Sequence, residues 1–239
     1  MPNITFRDKT ISFGNNNLYL QYFDSGDLHG NDNFRIPDQN PPVYEVLNQI
    51  NPTLVQLAMA AVIDGKTVPL TEKITKDCTL DIITLEESKG KQIYHDSLAF
   101  LIAQTVFAYN AEWQLAAITV SDENCILQFT ANAQVPEYTA IKQRLTETIQ
   151  NTAAIQIITG FQKEMLIETY ASLSQPYAQT LLAQYDDYDF VPIAARQNFV
   201  LPITEKMVLV TNPSVIKEYT ITLQHTDDGF SVVCQHSIA

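Results

Sequence analysis

The chain has 239 residues, enough to bury one large or two ordinary hydrophobic cores. Its residues are 46% hydrophobic and 17% charged, a globular balance that excludes disorder as the main state. With 14 Lys and Arg against 27 Asp and Glu the formal net charge is −13, which repels phosphate backbones and disfavours nonspecific nucleic-acid binding.

Two short strand patterns, Asn3–Phe6 and Thr10–Phe13, open the chain around the polar turn Arg7-Asp8-Lys9. Gly14–Pro42 is rich in Asn, Asp, Gly and Pro around an alternating stretch at Leu18–Phe23, and reads as an inserted hairpin or long loop. Pro42 suits the first turn of a helix over Val43–Ile50, and a further turn or two follows Pro52. Ala60–Ile63 and Thr67–Leu70 flank Asp64-Gly65, a strong hairpin signal, and Thr79–Leu85 reads as another strand. The charged stretch Glu86–Lys91 is the expected domain boundary.

A helix over roughly Tyr94–Tyr109 follows, with Leu98, Leu101, Ile102, Val106 and Phe107 at helical spacing. Gln114–Val120 and Ile126–Phe129 form a hairpin through Ser121–Asn124, and Pro136 starts a helix carrying Ile141, Leu145 and Ile149. Ala153–Ile158 is strand-like, and Thr159 is placed to cap a helix over Phe161–Leu173 with Lys163 and Glu164 in its first turns. A short helix follows Pro176. Strands are then expected at Phe190–Ile193, Phe199–Leu201, Met207–Val210, Tyr219–Leu223 and Phe230–Cys234.

Cys78, Cys125 and Cys234 are odd in number and far apart, which fits neither a disulfide framework nor a cysteine-rich zinc site. No basic-then-apolar leader opens the chain, and no stretch is apolar enough to span a bilayer. The expectation is a cytoplasmic protein with reduced thiols and no membrane association. Asp186-Asp187-Tyr188-Asp189 matches no calcium loop and reads as a solvated turn. His29, His225 and His236 are scattered singly and read as surface residues, and Cys234 reads as buried packing. No G-x-x-x-x-G-K-[ST] loop occurs, so phosphoryl transfer is unsupported.

Five stretches carry a resemblance. Met1-Pro2-Asn3-Ile4-Thr5, the run Leu57–Leu70 with its Asp64-Gly65 hairpin, and Asp77–Thr84 resemble the ubiquitin-like TGS domain of threonyl-tRNA synthetases. Gln92–Gln104 resembles the first helix of the editing domain shared by threonyl- and alanyl-tRNA synthetases, and Thr159–Ala183 is similar in layout. A similar arrangement occurs at the front of uridine kinase-related proteins. The fold class this implies is α+β: a ubiquitin-like β-grasp domain at 1–85 with an insertion at 14–42, then an editing-domain-like α+β unit at 92–239.

In the editing domain, two histidines in an H-S-x-A-H pattern meet a Cys and a His from a later motif. Such groups bind zinc or position water at a mischarged ester. The matching positions here are Asp96 and Phe100, and the later motif falls near Phe199–Lys206, which holds neither Cys nor His. His95 points about 100° from Asp96 on a helix, so it does not replace its neighbour. It reads as an exposed or capping histidine, and Asp96 with Ser97 reads as a cap of the helix start. The degenerate site positions are thus Asp96, Phe100 and His95, with no catalytic residue, no metal ligand and no cofactor expected.

The resemblance therefore implies a non-catalytic threonyl-tRNA synthetase-like protein, a binding or regulatory module for tRNA, a nucleotide or a protein partner, with no DNA partner. Two alternatives stand beside it. One is a free-standing aminoacyl-tRNA deacylase with an altered site. The other is the detached front end of a synthetase or uridine kinase-like protein. Aminoacylation by this chain alone is not expected, because the synthetase core would need a further domain.

Overall fold

The computed structural model describes residues 4–6, 9–13, 16–20, 40–50, 52–130, 135–151, 153–172 and 175–237, with side chains from residue 40 onward, 171 and 172 excepted. The chain divides into two units, Met1–Gly90 and Lys91–Ala239. Both mix helices with mainly antiparallel sheets, so the class is α+β.

In the first unit, β1 (Ile4–Phe6) lies parallel to β6 (Cys78–Thr84), which runs antiparallel to β4 (Ala58–Ile63), which pairs with β5 (Lys66–Val68). The β4–β5 hairpin turns through Asp64 and Gly65, both with positive φ, the pairing a two-residue primed turn requires. Asp64 holds the turn to β6, accepting at Oδ1 from the Thr79 N–H at 2.9 Å. Helix α1 (Val43–Ile50) begins directly after Pro42, and α2 (Pro52–Leu57) follows. Val43, Val46, Leu47 and Leu54 pack with Ala61, Leu80 and Ile82 into one core. β2 (Lys9–Phe13) and β3 (Asn16–Leu20) form a separate hairpin. The remainder of the expected insertion, 21–39 with His29, lies outside the described residues.

Helix α3 spans Ser88–Tyr109; its first three residues belong to the first unit, and from Lys91 onward it is the axis of the second. It starts six residues before the expected Tyr94, inside the charged stretch Glu86–Lys91. Gly90 explains why the first turn fits there: a Cβ on it would sit 1.8 Å from the Thr84 carbonyl oxygen. From Ile93 to Val106 every residue except Asp96 is buried. A helix enclosed on all faces has no solvated stripe for polar residues. Ser97 and Thr105 therefore bond back to the carbonyls of Ile93 and Leu101, at 2.6 and 2.7 Å.

One sheet orders as β12 (Tyr219–Thr226), β13 (Gly229–His236), β8 (Asn124–Thr130) and β7 (Gln114–Val120), all antiparallel. The other orders as β11 (Phe199–Pro202), β10 (Phe190–Arg196) and β9 (Gln156–Gln162). Helix α4 (Tyr138–Gln150) buries Ile141, Leu145 and Ile149, the residues at helical spacing in the sequence. Helices α5 (Lys163–Ser172) and α6 (Pro176–Ala183) follow β9.

Two local expectations fail here. Thr159 does not cap a helix; it lies inside β9, and α5 starts at Lys163. Pairing with β10 overrides the cap signal, and Thr159 and Gly160 bulge opposite Pro192, which has no N–H to offer a ladder. Met207–Val210 is not a strand either. The Met207 N–H returns to the Thr204 carbonyl and the Val210 N–H is taken by Ser97 Oγ at 2.9 Å, so neither joins a sheet.

Candidate functional site

The three residues of α3 that the sequence singles out meet three different fates. Phe100 is buried, and its ring lies 5.2 Å from that of Phe199, at the start of β11. Phe107, two turns further along α3, meets the same Phe199 ring at 5.7 Å and Phe129 of β8 at 6.3 Å. The expected later segment, Phe199–Lys206, thus comes against α3 through apolar contact. Its backbone is pinned in turn: Tyr170 donates its hydroxyl to the Val200 carbonyl, and the Ile203 N–H donates to Pro192.

Asp96 lies one turn before Phe100 and is half-buried. Gln92 Nε2 donates to its Oδ1 at 3.2 Å, but burial outweighs this and pushes its carboxyl from 3.8 up to about 6. Its charge reaches Tyr177 of α6, whose phenol burial and then Asp96 raise to about 12. It also reaches Cys125, which the neighbouring Cys234 sulfur and burial push well above the ordinary thiol range. Cys125 and Cys234 face each other across β8 and β13, both fully buried and unbridged. A buried thiol held protonated is a packing group rather than a nucleophile.

Asp96 and Ser97 do not cap a helix. The start at Ser88 puts both mid-helix, where Ser97 Oγ accepts from Val210 rather than from the helix's own first turn. His95 is neither exposed nor capping; it is 1% exposed. Neither ring nitrogen meets a hydrogen-bond partner, though backbone groups of Ser121 and Lys91 lie near. Burial pulls its imidazole below the ordinary value, and His236 adds to that push. Its ring meets Tyr94 edge-on at 5.2 Å, and Tyr94 meets His236 the same way at 5.3 Å. His236 is therefore half-buried at a sheet end rather than a plain surface residue, whereas His225 is exposed.

Among the described residues no three His, Cys, Asp or Glu side chains converge to hold a metal ion. Asp186, Asp187 and Asp189 are exposed, and Asp186 pairs with Lys163 at 3.4 Å. What the arrangement around α3 offers is one carboxyl near neutral pH beside an aromatic wall.

Sequence reasoning missed Arg196, the largest fully buried side chain among the described residues. From β10 its guanidinium donates to Gln104 Oε1 of α3 at 2.7 Å and to the Thr148 and Asn151 carbonyls at the end of α4 at 2.7 and 2.8 Å. Its Nε donates to the Ala153 carbonyl at 2.8 Å. The helix-end carbonyls carry partial negative charge that offsets the buried cation. The signal available was an arginine closing the otherwise uncharged run Phe190–Ala195.

Comparison with known proteins supplies the relation. No protein-family profile matches the chain. It is 25% identical to the threonine–tRNA ligase of Clostridium kluyveri over 160 residues, covering 66% of this chain and 25% of that one. To the threonine–tRNA ligase of Syntrophomonas wolfei subsp. wolfei it is 24% identical over 186 residues, 73% of this chain and 29% of that one. A shorter stretch of 68 residues is 34% identical to the enzyme of Symbiobacterium thermophilum, covering 28% of this chain and 10% of that one. The chain carries a threonyl-tRNA-synthetase-related region. It spans about a quarter of the length of the first two of these curated relatives and a tenth of the third. Among the described residues no helix is long and apolar enough to cross a membrane.

Proposed function

We propose that this is a non-catalytic threonyl-tRNA synthetase-like protein acting as a binding or regulatory module in the cytoplasm, for tRNA, a nucleotide or a protein partner. Its first unit is a TGS-type β-grasp domain, and its second an editing-like domain without the editing residues. The observation that carries the reading is the contact of Phe100 with Phe199. Where the editing helix and its later motif would hold imidazoles and a thiolate around a water, this chain packs two phenyl rings. A benzyl side chain neither binds zinc nor accepts a proton. The parallel β1–β6 pair at the edge of the first sheet supports the β-grasp assignment.

Incubating the purified chain with Ser-tRNA(Thr) and measuring ester hydrolysis tests this. The expected outcome is background rate and no stoichiometric zinc by elemental analysis. A rate that depends on Asp96 or His95 overturns it.

A second reading, a free-standing deacylase with an altered site, is favoured by Asp96, whose carboxyl sits at about 6 and so exchanges a proton near neutral pH. That reading requires a pH–rate profile with an inflection near 6 that Asp96→Asn removes. A flat background in both proteins rules it out.

A further inference from the structure

Among the described residues, five of the eight exposed large hydrophobic side chains lie between residues 158 and 190. Ile167 on α5 is 44% exposed, Tyr188 55% and Phe190 52%. These three line a depression of about 490 Å³. A second depression of about 280 Å³ lies between Ile167 and the Leu182–Ala183 end of α6, and the two share Lys163, Ile167 and Asp186. The result is one groove with two subsites: a mainly apolar one beside Leu182 and Ala183, and one where Ile167, Tyr188 and Phe190 lie among Gln162, Lys163, Glu164, Asp186 and Asp189.

Lys163 closes its floor. Its ammonium donates to the Tyr185 carbonyl at 2.9 Å and pairs with Asp186, and the side chain is only 12% exposed. The lining is acidic: Glu164 and Asp189 are exposed, Asp187 beside them in the chain is exposed too, and none has a salt bridge among the described residues. Exposed apolar side chains set among unpaired acidic ones mark an interaction surface. The charge selects the occupant. Nucleic acid is repelled by the lining and by the net charge of −13. A second copy would bring two acidic linings together.

We propose that this groove docks a cationic amphipathic helix of a partner protein. Two apolar side chains about one turn apart fill the subsites on either side of Ile167, and flanking Lys or Arg residues meet Glu164, Asp187 and Asp189. The proposal stands apart from whatever the Phe100 face does, because the groove shares no residue with it.

The test uses the full chain and a fluorescein-labelled helical peptide with Leu on one face and Lys on the other, read by fluorescence anisotropy and amide NMR shifts. Saturable binding is expected, with shifts confined to the neighbourhood of Ile167, Leu182 and Phe190. Ile167→Asp and Phe190→Ala should each weaken it by about tenfold or more. Joint Asp187→Lys and Asp189→Lys should weaken it several-fold and flatten its salt dependence. Circular dichroism should be unchanged in all variants, since every altered side chain is exposed. A peptide of equal charge with Ser in place of Leu should bind at least about tenfold more weakly. Equal binding by the Ser peptide, or shifts spread over other acidic surface, overturns the proposal. So does sedimentation as a dimer that Ile167→Asp disperses, or tRNA that competes for the groove.

Discussion

Arg196 on β10 and Gln104 on α3 are joined by a 2.7 Å hydrogen bond between Nη1 and Oε1, and both side chains are buried. Gln104 Nε2 donates back to the Arg196 carbonyl at 3.3 Å, so the pair closes a ring between the strand and the axial helix. Removing the guanidinium leaves the Thr148, Asn151 and Ala153 carbonyls facing a cavity. Arg196→Ala should lower unfolding free energy by about 3–5 kcal/mol, and Gln104→Leu by about 1–3 kcal/mol. Chemical denaturation of both variants and of the double variant measures the coupling. Additive losses would mean that the pair does not act as a unit.

Phe100 is core as well as a site position. Phe100→Ala should cost about 3–5 kcal/mol, as for other buried aromatics truncated to alanine. Phe199 is half-exposed, so Phe199→Ala should cost less. Equal stability of the Phe100 variant, read by urea titration, would show that the ring is not packed and that the face is open.

Asp96 and His95 impose opposite pH dependences. The Asp96 carboxyl titrates at about 6 when folded and near 3.8 when unfolded, so the native state holds the extra proton between these values. Stability then falls as pH rises from about 4 to 6. Asp96→Asn should remove that fall and stabilise the protein by about 1–3 kcal/mol at pH 7.5. For His95 the folded value lies below the ordinary 6.5, so the unfolded state holds the extra proton just below 6.5. Stability from this group therefore rises with pH through that window and is full above it. Melting temperature against pH for His95→Gln and Asp96→Asn separates the two. A curve unchanged in shape in either variant would remove that residue as its cause.

Gly90 allows the first turn of α3 to touch the Thr84 carbonyl. Gly90→Ala replaces a hydrogen with a methyl at a position where backbone, not a flexible side chain, must move. A loss of about 1–3 kcal/mol is expected, against the gain that Ala ordinarily brings to a helix. A thermal melt showing stabilisation would place Gly90 outside the helix turn.

Much of the first unit was legible locally. Pro42 before an apolar-periodic run marks α1, and Asp64-Gly65 between alternating strands marks the β4–β5 hairpin, because both signals act within a few residues. The α4 stripe of Ile141, Leu145 and Ile149 was legible for the same reason. The absence of histidine and cysteine at Asp96, Phe100 and Phe199–Lys206 is likewise a fact of sequence alone.

Tertiary structure decided what those positions became. Burial of α3 on every side made interior residues of His95, expected to be exposed or capping, and of Ser97, expected to cap the helix start, because the residues enclosing them come from far along the chain. Ser97 meets Val210 and Gln104 meets Arg196, separations of 113 and 92 residues. The same long-range pairing drew Thr159 into β9 and kept Met207–Val210 out of a sheet. Periodicity and turn chemistry specify which elements form. Which face is buried, and whether a polar group there finds a partner, depends on neighbours that no local window contains.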